Sequence, residues 1–323
     1  MNCTNILSDG RTSLHFCAQI GNCEIAEILL KEGVKIDDME LYNNYTALHI
    51  AVIHKKPDMI SFLLKHGANR ESKDINNWTP LCFAAKSGET CIVEILLHEG
   101  AEVDSNLDDG QTPLLIAAQY GFKDVVEILL KQGAKTDAAE YEAWTTLYSA
   151  AMNGYLEIVQ LLIEHNANFE DAVKQDGTTP LHIASKNDHA NVISYLARKY
   201  NDINITDNRS MTAIHYLTSL SPDNPTFQTT DNVSALESLI AAGADLEAKD
   251  ESRNTAVHNA ATNCNSLFLF KLIESGAEKT TYNNLMQTPL HCLALNAREH
   301  DTGLKLCLDP SVSGKNDLFE STT

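Results

Sequence analysis

Apolar residues along this chain come in paired short blocks. The first block is compact, as in Leu81…Ala84-Ala85 and Leu114…Ala117-Ala118, a spacing that puts small side chains on one face of a short helix. A glycine at 21, 88, 121 or 154 ends that block. A second apolar stripe such as Val125-Val126…Ile128-Leu129-Leu130 then predicts another helix, stopped by Gly33, Gly67, Gly100, Gly133, Gly243 or Gly276. Polar stretches follow, for example Asn76-Asn77 and Asp108-Asp109-Gly110, and these read as projecting turns or hairpins.

The pattern is tied to a ladder of threonines at 12, 46, 79, 112, 145, 179, 212, 255 and 288, spaced by 33 or 34 residues except for one step of 43. Threonine is a good helix N-cap, and proline directly after it suits the first helical position, where a missing N–H costs nothing. A helix pair of this size cannot bury its own apolar face. Stability must come from stacking on the pairs before and after it.

The neighbours of the threonines recur as well: Thr79-Pro80-Leu81, Thr112-Pro113-Leu114, Thr179-Pro180-Leu181-His182-Ile183-Ala184 and Thr288-Pro289-Leu290-His291. So do Glu27-Ile28-Leu29-Leu30-Lys31-Glu32-Gly33 and Glu127-Ile128-Leu129-Leu130-Lys131-Gln132-Gly133-Ala134. T-P-L-H-x-A at this period resembles the ankyrin-repeat family. The resemblance covers roughly residues 4 to 309 and implies an all-α repeat solenoid, helix-turn-helix plus a β-hairpin or turn per repeat, in a single curved stack. About nine repeats would start near 8, 42, 75, 108, 141, 175, 208, 251 and 284, filling residues 1–309 and leaving 310–323 as a polar, flexible tail.

Departures from the pattern mark specialised repeats. Asn166-Ala167 and Tyr200-Asn201 replace the usual Gly-Ala, and local stability is expected to dip there. Residues 221–230, with Pro222 and Pro225, form an insertion in the seventh repeat, read either as a tolerated loop or as a partner-specific projection. The ninth repeat has an irregular second helix, 302–308, as a terminal cap would.

Composition narrows the setting. No apolar run reaches 18 residues and no leader pattern stands at Met1-Asn2-Cys3-Thr4, so a soluble, cytoplasmic monomer with no direct membrane insertion is expected. The eight cysteines show no C-x-x-C pattern, and Cys82 takes the place of His182; reduced core thiols are expected, with no metal. Asn44-Tyr45-Thr46 and Asn77-Trp78-Thr79 match glycosylation sequons, but each uses an N-cap threonine, so both read as structural.

Histidines 15, 49, 182, 215, 258 and 291 all hold the fourth place of Thr-x-x-His. The resemblance makes them hydrogen-bonding framework. Spread along a solenoid, they cannot converge on one catalytic site, and no phosphate-loop, zinc-protease, hydrolase or dinucleotide motif is present. The expectation is a non-enzyme without catalytic residues or cofactors.

Net charge of −20 argues against nucleic acid and favours a protein partner with a basic or cationic segment. From Glu89 to Glu142 there are twelve acidic residues against three lysines. That excess reads equally as a steering field or as a solvated surface.

By the family resemblance, hairpin tips and first-helix ends form the inner, partner-facing surface. The residues just before the threonines include Tyr45, Trp78 and Trp144, so both tryptophans of the chain are among them. With Tyr42, Asp108, Asp109, Tyr141 and Glu142 on the hairpins, and His54, Tyr120 and Asn153 at the first-helix ends, they outline a candidate strip across repeats two to five. The same aromatics could instead brace neighbouring hairpins. Trp144, Tyr141 and Glu142 resemble, in residue type, surroundings that hold a cationic side chain, and Leu196…Asp202-Ile203-Asn204 resembles a hairpin modified by asparagine hydroxylase. The leading expectation is a non-catalytic interaction scaffold. The alternative is the ankyrin targeting or regulatory region of a larger protein, such as an ion channel, bacterial effector or signalling enzyme.

Overall fold

The computed structural model describes residues 9–108, 110–137, 144–169, 176–220 and 231–296. The insertion at 221–230, the second helix expected at 302–308, the tail, Asp109, Tyr141 and Glu142 lie outside them. The described residues form seventeen helices, and no extended strand is among them. In chain order these are α1 (Ser13–Ile20), α2 (Cys23–Lys31), α3 (Ala47–Ile53), α4 (Pro57–Lys65), α5 (Pro80–Ser87), α6 (Thr90–His98), α7 (Pro113–Tyr120) and α8 (Lys123–Lys131). There follow α9 (Thr146–Met152), α10 (Leu156–Glu164), α11 (Pro180–Lys186), α12 (Ala190–Ala197), α13 (Ala213–Thr218), α14 (Asp231–Ala241), α15 (Ala256–Thr262), α16 (Ser266–Glu274) and α17 (Pro289–Asn296). Every odd-numbered helix opens at or directly after a ladder threonine.

The chain divides into two compact units, one of residues 1–150 with 157–168, the other of 151–156 with 169–323. In the N-terminal unit α1, α3, α5 and α7 pack in succession, and α2, α4, α6 and α8 form a second row against them. In the C-terminal unit the rows are α11, α13, α15, α17 and α12, α14, α16. Alanines make the close approach possible: Ala18, Ala51, Ala84, Ala85, Ala117 and Ala118 are fully buried in the first row. Leucines such as Leu63, Leu96 and Leu129, also fully buried, fill the space between the rows, each worth about 1.5–3 kcal/mol in removal from water.

The turn between α5 and α6 requires its glycine. Gly88 has φ of +71°, and a Cβ there would fall 2.5 Å from the ring of Phe122 in the next repeat. Asn166 adopts φ of +62° after α10, filling the role glycine plays elsewhere. Tyr200, in the place of the glycine, is buried. Its hydroxyl donates to the Phe169 carbonyl at 2.7 Å, and the two rings meet edge to face.

A polar frame holds the repeats together. The backbone N–H of Thr179 donates to His182 Nδ1 at 3.1 Å, which leaves the imidazole proton on Nε2, where it is donated to the Met211 carbonyl of the next repeat, also at 3.1 Å. The same link runs from His15 to Tyr45, His49 to Trp78, His215 to Asn254 and His258 to Gln287. In each case the acceptor is the carbonyl just ahead of the next ladder threonine. Where Cys82 replaces the histidine, Thr79 Oγ1 pairs with Ser105 Oγ at 3.2 Å instead. The six described cysteines are free thiols, and burial raises the Cys82 thiol above its usual range.

Carboxylates secure the turns. Asp74 Oδ1 accepts from the N–H groups of Asn76 and Trp78, and Asp207 Oδ1 from those of Arg209 and Met211. At Glu40 burial works to raise the carboxyl pKa, but the N–H groups of Tyr42, Asn43 and Tyr45 outweigh it and hold the group below its ordinary value. Others cross between repeats: Asp37 accepts from Asn69 N–H, Glu71 from Glu102 N–H, Asp104 from Lys135 N–H and Glu247 from Glu278 N–H.

Two predictions follow from the frame. His182→Ala removes the link and leaves buried partners unmet, so it should cost about 2–4 kcal/mol in urea unfolding; a loss under about 0.5 kcal/mol would contradict the link. His15, His49, His182, His215 and His258 are all held below their ordinary 6.5, first by burial. The unfolded chain therefore binds more protons than the folded one as pH falls past 6.5. The stabilisation from the neutral imidazoles is complete above that value and lost below it, so the melting temperature should drop between about pH 7 and pH 5. A flat profile there would oppose the assignment. Glu40 and Asp207 give way only at lower pH, because their pKa values are depressed.

Candidate functional site

The hairpins ahead of α3 and α5 bring Tyr45 and Trp78 onto one ring, Phe83 of α5. Tyr45 meets it edge-on at 5.6 Å and Trp78 lies tilted at 5.2 Å, with His49 at 5.8 Å. Both predicted aromatics are half-buried, and their carbonyls take the bonds from His15 and His49. This geometry braces the stack. Tyr45 thus has a packing role, which the sequence offered as the alternative to recognition.

Trp78 keeps a second neighbour. The ammonium of Lys86 lies 4.8 Å from its ring centroid and 5.9 Å from that of Tyr120. Tyr120 is 47% exposed and stacks at 6.4 Å on Phe122. Tyr42 and Asp108 are exposed on the tips of their hairpins. Trp144 is half-buried, tilted against Tyr148 of α9 at 5.9 Å. Asn153 is exposed and belongs to the C-terminal unit. Cations also lie over the rings of Tyr195 (Lys199, 5.6 Å) and Tyr216 (Arg209, 5.9 Å). Asn204 donates from its amide to the Gly243 carbonyl and accepts from Asp245 N–H, the same kind of inter-repeat bond that carboxylates make elsewhere.

Four places before each threonine lie the hairpin tips, where the sequence pointed to Tyr42 and Asp108 but not to Ile75. That position carries Tyr42, Ile75 and Asp108, and the tips are joined directly, Ile75 N–H donating to the Asn43 carbonyl at 2.8 Å. Ile75 is 59% exposed and Leu41 69%. Large apolar residues in an otherwise polar turn were the available signal. Ile53 and Phe16, exposed on α3 and α1, were missed too.

The acidic excess is partly spent. Within the acidic stretch, Asp104 caps Lys135 N–H, Glu89 pairs with Lys55 at 2.7 Å and Glu127 with Lys131 at 2.7 Å. These groups serve the frame or sit in exposed pairs worth little. Among the described residues no group of three His, Cys, Asp or Glu could hold a metal ion, and no helix is long and apolar enough to cross a membrane.

A sequence model described as ankyrin repeats (3 copies) matches residues 1–74, 69–140 and 147–222. The chain belongs to the ankyrin-repeat family. Similar curated proteins include the ankyrin repeat and SOCS box protein 6 of Homo sapiens and of Pongo abelii. Each is 39% identical over 57 residues, or 18% of this chain and 14% of the relative. The Mus musculus protein of that name matches to the same extent. Only a small part of each relative is thus spanned. Ankyrin repeats are generally protein–protein interaction modules.

The division between bracing and exposed residues is directly measurable. Trp78→Ala should cost about 1–3 kcal/mol of stability through lost ring packing, whereas Ile75→Ala should cost less than about 0.5 kcal/mol. Equal losses in urea unfolding would remove the distinction.

Proposed function

We propose that this ankyrin chain is a non-catalytic interaction scaffold that grips a segment of a partner protein carrying both basic and apolar side chains. It does so along the hairpin tips and first-helix ends of the N-terminal unit. The observation that carries this reading is the exposed apolar row at the tips, Tyr42 69% and Ile75 59% exposed, set in a chain of net charge −20. Scattered exposed apolar residues are ordinary on any protein, but here successive tips joined by a backbone bond present them together. Excess negative charge would raise the encounter rate with a basic segment even where individual carboxylates already hold N–H groups. Asp108 at the next tip is exposed and adds a local carboxylate.

A second reading is that this is the targeting or regulatory portion of a larger protein. The printed name of the similar proteins supports it, since that name couples ankyrin repeats to a further element. The surface would act the same way in either setting.

Selecting random peptides on the immobilised chain tests the proposal. Recovered sequences should combine Arg or Lys with apolar residues, weaken at least about tenfold on the Tyr42→Ala/Ile75→Ala chain, and weaken again at about 0.5 M salt. Peptides that bind the double variant as well as wild type would place the interaction elsewhere.

A further inference from the structure

The rings of Trp78 and Tyr120 come from different repeats, one from the hairpin ahead of α5 and the other from the end of α7, yet both lie near the same ammonium group. Lys86 reaches them from α5, is exposed, and is paired with no carboxylate among the described residues. In the matching place α3 carries Ile53 and α7 carries Gln119. The repeat itself does not demand a lysine there.

Each ring is held without help from that lysine. Trp78 is fixed by its packing on Phe83 and by its carbonyl, which accepts from His49 at 3.1 Å. Tyr120 is backed by Phe122, nearly parallel at 17°. The two faces would therefore stay in place if the ammonium left. Lysine is a poor permanent occupant of such a place, because its charge is strongly hydrated and its stem is flexible. A planar, weakly hydrated guanidinium stacks on aromatic faces better.

We infer that Trp78 and Tyr120 form an arginine-binding notch that Lys86 fills in the unbound chain and a partner's arginine takes over on binding. This rests on the proposed basic partner and specifies how its charge is read. Lys86 keeps the notch occupied, so a partner without a guanidinium gains little from displacing it. An arginine gains the difference between its own stacking and that of the lysine.

Calorimetric titration with a hexa-arginine peptide tests the notch on four folded chains: wild type, Lys86→Gln, Lys65→Gln and Lys86→Gln/Tyr120→Leu. Lys65, exposed on α4, controls for the loss of one positive charge. Removing the resident cation should tighten binding about two- to fivefold relative to Lys65→Gln, and adding Tyr120→Leu should abolish that gain. If Lys86→Gln and Lys65→Gln bind alike, the notch is wrong while the basic-partner reading stands. If no chain binds the peptide, both fail.

Discussion

One imidazole with two jobs underlies the architecture. In His15, His49, His182, His215 and His258 the Nδ1 atom accepts the backbone N–H of its own N-cap threonine, and Nε2 donates to a carbonyl of the next repeat. Both bonds need the neutral ring, and they need it in one tautomer. A helix start, a hairpin end and the spacing between repeats are thereby set by a single side chain. Apolar burial supplies most of the stabilisation, but it is non-directional and would tolerate sliding. The histidine link is directional, so it fixes register.

The link is interrupted in the middle. At the corresponding positions stand Cys82, Leu115 and Tyr148, and other contacts take over: Thr79 with Ser105, the Tyr45, Phe83 and Trp78 cluster, and Trp144 against Tyr148. Aromatic rings add bracing beside Cys82 and Tyr148, as the Phe169 and Tyr200 pair also does, where Tyr200 lies in a repeat whose His182 keeps the link. Of these rings Tyr148 is buried, while Tyr45, Trp78, Phe83 and Trp144 are half-buried. Trp78 thus meets both the Phe83 ring and the Lys86 ammonium, so a packing residue is also in reach of the proposed recognition.

The helices, their caps and the glycine turns were legible in the sequence because each depends on local chemistry repeated nine times. Thr179, Pro180 and His182 act within four residues of each other, so spacing alone reveals them. The surface was less legible. Tyr45 and Trp78 stood out as large aromatics beside the ladder, yet whether a ring points outward depends on Phe83, over thirty residues from Tyr45, and no local pattern states that. The carboxylates misled in the same way. Asp37, Glu71 and Asp104 count as surface charge in composition, but each is committed to a backbone N–H of the following repeat. Ile75 could have been found from register, since it is an isoleucine where a turn needs none.

The frame and the surface are coupled through the carbonyls that the histidines hold, because these belong to the residues, Tyr45 and Trp78 among them, that position the aromatic cluster. The central claim is therefore the protonation state of the framework imidazoles. Nitrogen-15 NMR of the histidine side chains reads it directly. The account predicts five neutral rings with the proton on Nε2 at pH 7, each titrating below 6.5. Rings protonated on Nδ1, or titrating at or above 6.5 while the chain stays folded, would contradict it.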